Sequence, residues 1–264
     1  MRKHHQESIE KLKEYFLPME GLIAIILGGS VAKGTAREDS DIDAFVVLTE
    51  EKYRELESHC RLAEVIYDHC TYEGGYFDIK YKTKAILEDA AERASEPTRN
   101  AYVKAQVLYS IDDEIADIIG RIGSYPELYH SQKLSCFNAN LRLNRDYFMN
   151  CIEPENHYMR AHSAHEIVYS VYRLILAENR VLFPSNRRLE EAVRSCPRRP
   201  DNMIELGNAF LTDVSKENCD KFIDAFLENT ALVLTKNVPI NYSDYIRYYE
   251  EWWRYEDAPF PNEW

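Results

Sequence analysis

The chain has 264 residues, enough to bury a sizeable core in one or two domains. Its 45% apolar and 29% charged residues are ordinary for a globular protein, and no apolar run approaches the roughly eighteen residues of a membrane span. Forty-five acidic against 32 basic side chains leave a net charge of −13, which argues against a large nucleic-acid footprint and suits a cationic substrate or partner.

Taken in order, residues 6–17 place Ile9, Leu12, Phe16 and Leu17 at helical spacing, and Pro18 and Gly21 end that helix. The run LIAIIL, 22–27, reads as a buried strand, and residues 42–48 as a second. Residues 50–63 read as a helix. The β-rich runs 64–72 and 76–82 flank Gly74-Gly75 and read as a hairpin. A mixed sheet of about four strands, with helices on one face, is expected. From Lys84 onward the pattern is helical: 84–94, 99–107, 112–122, 126–149, 157–180, 188–195, 202–211, 216–235 and 242–254. Leu128, Leu134, Leu141 and Phe148, and then Val168, Tyr172, Ile175 and Leu176, form bundle faces. The fold class is α+β: a small mixed-sheet domain with flanking helices, followed by an all-α helical bundle. With a break at Ser95-Glu96-Pro97, the domains are 1–97 and 98–264. The tail 257–264 reads as irregular chain.

The six cysteines, at 60, 70, 136, 151, 196 and 219, show neither a C-x-x-C pair nor zinc spacing. The N-terminal MRKHHQESIEKLKEYF is charged and amphipathic rather than secretory. Reduced thiols in a cytoplasmic protein are the expectation.

Residues 28–43, GGSVAKGTAREDSDID, carry the chemistry. Gly28 and Gly29 have no Cβ, so a phosphate can approach their backbone. Ser30 suits the N-cap of a short helical turn through Val31, Ala32 and Lys33, whose free N–H groups face an anion. Asp41 and Asp43 lie two apart before AFVVL, so on a strand they share a face about 6.6 Å apart. Two carboxylates that close repel, and a cation or shared proton relieves them. Mg²⁺ suits such oxygen ligands together with substrate phosphates.

A Gly-Gly-Ser turn followed by Asp-x-Asp, with eleven residues between Gly29 and Asp41, resembles the signature of the DNA polymerase β-like nucleotidyltransferase superfamily. The two-domain build is similar to aminoglycoside and lincosamide nucleotidyltransferases. The resemblance implies a third carboxylate, offered by Asp78 in GGYFDIKY, 74–81. It implies that Asp41, Asp43 and Asp78 hold two Mg²⁺ ions, that Asp78 helps activate the attacking hydroxyl, and that Gly28, Gly29, Ser30 and Ser40 serve the phosphates of an NTP, with ATP expected. The implied reaction transfers a nucleoside monophosphate to a hydroxyl of a small molecule, an aminoglycoside-like antibiotic among the candidates, with release of pyrophosphate. A protein-modifying adenylyltransferase of the antitoxin type and a nucleotide-binding module without turnover are the alternatives. The long helical half argues against the first and the intact carboxylate trio against the second.

Lys33 and Arg37 are close in sequence to the glycine motif and are candidate phosphate ligands. Arg187 and Arg188 head an arginine cluster with Arg180, Arg194, Arg198 and Arg199; they reach phosphate bidentately or serve a solvated surface. His162, His165 and Glu166 share a helix face, as metal ligands or as a packed polar patch. Glu166 is the candidate general base, with Glu153, Glu155 and Glu178 equal rivals. Nineteen tyrosines include a terminal cluster of Tyr242, Tyr245, Tyr248 and Tyr249 beside Trp252 and Trp253, which serves packing or an aromatic wall.

Overall fold

In the computed structural model, which describes residues 1–255, the chain divides into two compact units, 1–124 and 125–264. The first unit holds helix α1 (Lys3–Phe16), strand β1 (Leu22–Leu27), helix α2 (Gly29–Lys33), strand β2 (Ile42–Leu48), helix α3 (Glu50–Ser58), strands β3 (Ala63–Ile66) and β4 (Phe77–Thr83), helices α4 (Lys84–Arg93) and α5 (Glu96–Ala101), strand β5 (Gln106–Ser110) and helix α6 (Ile115–Ile122). The sheet order is β3-β4-β2-β1-β5. β2 and β4 run parallel and every other pair antiparallel, so the sheet is mixed.

Alternation along the two central strands separates two layers of core. Ile25 and Leu27 of β1, Ile42, Ala44, Val46 and Leu48 of β2, and Phe77, Ile79 and Tyr81 of β4 pack with Ile9, Leu12 and Phe16 of α1. Ala24, Ile26, Phe45 and Val47 face the other way, against Leu87 of α4, Tyr102, and Ile115, Ile118, Ile119 and Ile122 of α6. Helices therefore cover both faces, not one. β1 and β2 are apolar on both sides because both sides are covered.

Residues 99–107, expected as a helix, instead contain the end of α5 and the start of β5. The fifth strand pairs with β1 through Ala24↔Ser110 and Leu27↔Gln106. This pairing carries the first unit on to Ser124, past the break expected at 97. β3 is shorter than the expected run 64–72, and pairs with β4 through Val65↔Asp78.

The second unit is helical: α7 (His130–Asp146), ending in a π-helical turn at Tyr147–Cys151, then α8 (His157–Glu178), α9 (Leu189–Ser195), α10 (Met203–Thr212), α11 (Lys216–Asn229) and α12 (Val238–Tyr245). Its core gathers Phe137, Leu141, Phe148, Val168, Tyr172, Ile175, Leu176, Phe210, Phe222 and Phe226. Leu128, expected on the bundle face, precedes α7 in a 3-10 turn and is exposed. Tyr248 is buried, whereas Tyr242 and Trp253 are exposed. All six cysteines are free thiols. Among the described residues no helix is long and apolar enough to cross a membrane. The tail 257–264 lies outside the described residues.

Candidate active site

The site is built where β1 ends and β2 begins. Gly28 N–H donates to Asp43 O at 2.9 Å, continuing the β1–β2 ladder into the turn. Gly28, not Ser30, is the N-cap of α2; Ser30 lies in its first turn, and the cap carries no side-chain hydrogen bond. Gly34 closes α2 at φ +78°, the left-handed stop that glycine tolerates.

The two glycines are constrained by what lies against them. Gly29 sits at φ +62°, and a Cβ there would lie 1.8 Å from Asp43 Oδ2. The Asp43 carboxylate thus occupies the space that glycine leaves. A Cβ on Gly28 would lie 2.7 Å from the Phe45 ring, which stacks on Tyr102 with centroids 4.2 Å apart. The sequence reading reserves the missing side chains for an approaching phosphate. The structure adds that the metal-side aspartate and the glycine turn fit together as one unit.

Asp41 immediately precedes β2, Asp43 is its second residue, and Asp78 is the second residue of β4. Parallel pairing sets Asp43 directly beside Asp78. One oxygen from each of the three carboxylates lies within 4.8 Å of the others. The structure therefore brings together the three acids singled out from the sequence. All-oxygen donors at this spacing suit a hard divalent cation.

Electrostatics point the same way. Burial pushes the Asp43 carboxyl up to about 6, and the charges of Asp41 and Asp78 add to the rise; Lys80 and Lys33 oppose it. The protein's own cations do not fully compensate this cluster of acids. Lys80 Nζ donates to Asp78 Oδ2 at 3.1 Å. Lys33 Nζ donates to Asn100 Oδ1 at 2.6 Å. Arg37 is exposed and pairs with Asp39 at 3.1 Å. Ser40 works within the loop: its Oγ accepts from Arg37 N–H at 2.8 Å, and its carbonyl accepts from the Tyr72 hydroxyl at 2.5 Å.

Tyr76 is a neighbour that motif reasoning missed. The charge of Asp41 is the main cause raising its phenol above the usual value, with smaller contributions from Asp78 and Asp43. Its ring lies 5.7 Å from that of Tyr67. The available signal was its position two residues before Asp78, on the same face of the approach to β4.

The remaining candidates lie in the second unit. Glu166 accepts from Asn140 Nδ2 at 2.7 Å and lies 3.5 Å from His165 Nδ1. Burial pushes its carboxyl up, but the hydrogen bonds from His165 and Asn140 outweigh that and hold it below the usual value. Arg187 and Arg188 are exposed, and Arg188 pairs with Glu191 at 2.6 Å. Arg180 and Arg194 pair with Glu127 and Glu205, each at 3.0 Å.

Residues 9–105 match the nucleotidyltransferase domain family. The chain is also similar to the crystal structure of a nucleotidyltransferase-like protein from Exiguobacterium sibiricum 255-15, at 11% identity and a TM-score of 0.49, over 92% of this chain and 76% of that one. No curated protein sequence matches it. Strands β1 to β4 of the mixed sheet, the glycine turn and the three convergent aspartates all fall within residues 9–105, the stretch that matches the nucleotidyltransferase domain family.

Proposed function

We propose that this protein transfers a nucleoside monophosphate from an NTP, with ATP the expected donor, to a hydroxyl of a small molecule and releases pyrophosphate. The observation that carries the reading is the triad of Asp41, Asp43 and Asp78, with oxygens within 4.8 Å of one another, against a glycine turn that admits no side chain. Bound Mg²⁺, with two ions expected, supplies Lewis-acid charge that stabilises the phosphate oxygens and lowers the pKa of the attacking hydroxyl.

The protein's own groups divide the rest of the work. The free N–H groups at the start of α2, from Gly29 and Ser30, present partial positive charge to the donor's phosphates. Lys33, Arg37 and Ser40 stand on the same turn and loop and add donors. Asp43, locked against Gly29, keeps its carboxylate in one place, so the acids need little reorganisation on binding. Asp78 is the favoured acceptor of the hydroxyl proton, because it belongs to the triad; Glu166 is the second candidate. Arg187 and Arg188 are proposed only as auxiliary phosphate contacts. The helical unit supplies the acceptor's specificity, and the net charge of −13 favours a cationic acceptor, an aminoglycoside-like antibiotic among them.

The test is incubation with Mg²⁺, each NTP in turn, and a mixed set of hydroxylated compounds, with products read by mass spectrometry. The reading requires an adduct heavier by one nucleoside monophosphate. Nucleotide binding with no adduct on any small molecule, but with label on a protein, would move the acceptor to a protein.

A further inference from the structure

A cavity of about 310 Å³ in the second unit lies against the end of α7 and the start of α12. Its polar lining includes Arg142, Arg145, Asp146, Asn150, Lys236 and Asn241. Arg142 and Arg145 are three apart on α7 and so share a face. Three cationic side chains converge here in a chain whose overall balance is strongly acidic.

Most polar groups of this lining are already committed. Asn241 Oδ1 accepts from Asn138 at 2.9 Å, and its Nδ2 donates to Thr235 O at 3.3 Å. Asn150 Nδ2 donates to Asp146 Oδ1 at 2.8 Å. Arg145 Nη2 donates to Asp220 at 2.7 Å. Three buried donors remain without any partner: Nε and Nη2 of Arg142, and Nε of Arg145. Arg142 has no ion pair among the described residues. Burial, and then the charge of Arg145, push its guanidinium below the usual value. Lys236 is exposed and has no carboxylate partner among the described residues.

Buried N–H donors without an acceptor, here on half-buried guanidinium groups, are costly, and proteins almost always satisfy such groups. The unspent donors point to an anion. Asp220 already neutralises Arg145, whereas Arg142 and Lys236 leave two unpaired positive charges. A phosphate monoester dianion matches that charge, and its several oxygens match donors on three separate side chains. Asp146 is exposed, so solvent weakens its repulsion. We propose that this cavity binds the phosphoryl group of a small phosphorylated molecule, held by Arg142, Arg145 and Lys236. Its lining belongs wholly to the second unit, and the proposal does not depend on the function proposed for the carboxylate triad.

The test uses the full-length protein in EDTA, which removes the divalent ions that the triad would need. Calorimetric titrations compare inorganic phosphate, ribose 5-phosphate, ATP, ribose and succinate. Phosphate and ribose 5-phosphate are expected to bind; ribose and succinate are not. Arg142→Gln and the exposed Lys236→Gln should each weaken phosphate binding, Arg142→Gln by about tenfold or more. Asp43→Asn should bind phosphate as the wild type does. ATP held by this site should also lose affinity in Arg142→Gln, whereas ATP held at the triad should not. Because Arg142 lacks an internal partner, ligand-free Arg142→Gln should melt no lower than the wild type. The proposal is overturned if phosphate does not bind at millimolar concentration, if succinate binds equally well, if Asp43→Asn loses the binding while Arg142→Gln and Lys236→Gln keep it, or if Arg142→Gln alone unfolds the ligand-free protein.

Discussion

Replacing Asp43 with Asn should stabilise the metal-free first unit near neutral pH while abolishing its response to Mg²⁺. The Asp43 carboxyl is raised from 3.8 to about 6, chiefly by burial and then by Asp41. A group whose folded-state pKa is raised holds its proton more tightly in the fold. Its contribution is therefore fully present below about pH 4 and is lost as pH rises through 6. A shift of about two units corresponds to roughly 3 kcal/mol of destabilisation above pH 6. This is an upper figure, since the site is partly open to solvent. In EDTA, Asp43→Asn should exceed the wild type by up to that amount at pH 7.5, with the gap closing toward pH 4. Mg²⁺ should stabilise the wild type and leave the variant nearly unmoved. Residues 1–124 contain no tryptophan, so tryptophan fluorescence does not report on the first unit. Hydrogen exchange of the β1 and β2 amides does. A variant less stable than the wild type at pH 7.5 in EDTA, or a gap independent of pH, would refute the electrostatic reasoning.

Gly29→Ala should cost more than its size suggests. It forces an L residue to φ +62° and drives a methyl into Asp43 Oδ2, so pyrophosphate release should fall at least about 100-fold, by analogy with misplaced catalytic groups. Near-wild-type turnover would show that Asp43 can move without penalty. Tyr76→Phe removes the phenol hydroxyl that interacts with Asp41 and should raise the Mg²⁺ concentration for half-maximal activity about tenfold; an unchanged metal requirement would remove Tyr76 from the site. Phe45 is buried and stacked on Tyr102, so Phe45→Ala should destabilise the first unit by about 3–5 kcal/mol. Chemical denaturation followed by hydrogen exchange of β2 checks that value. A loss below about 1 kcal/mol would mean that the Gly28 turn does not lean on the ring.

The catalytic half of this protein was legible because its signals are local. Two apolar runs bracket a glycine turn and an Asp-x-Asp, and strand alternation alone puts Asp41 and Asp43 on one face. The pairing of Asp43 with Asp78 was beyond the reach of pattern, since it depends on β2 and β4 lying parallel at the centre of the sheet. Gln106–Ser110 misled for a related reason. Ala, Lys and Gln around residues 101–106 favour helix, and the strand forms because the open edge of β1 accepts it. Ser30 resembles an N-cap by residue type, yet the extended backbone belongs to Gly28. Of the arginine cluster, Arg180 and Arg194 have carboxylate partners near in space but distant in the sequence, whereas Arg188 pairs locally with Glu191. The cationic cavity was hidden too, because Lys236 meets Arg142 and Arg145 only through the packing of α7 and α12.

The most direct measurement on the central claim is a paired turnover assay. Wild-type protein and Asp78→Asn, each with Mg²⁺, an NTP and the acceptor found by screening, are followed for pyrophosphate and for the nucleotidylated product. The wild type should form both in equal amounts, and removal of Asp78 should lower both by about 1,000-fold or more. Product formation at an undiminished rate in that variant would contradict a reaction run by the three convergent carboxylates.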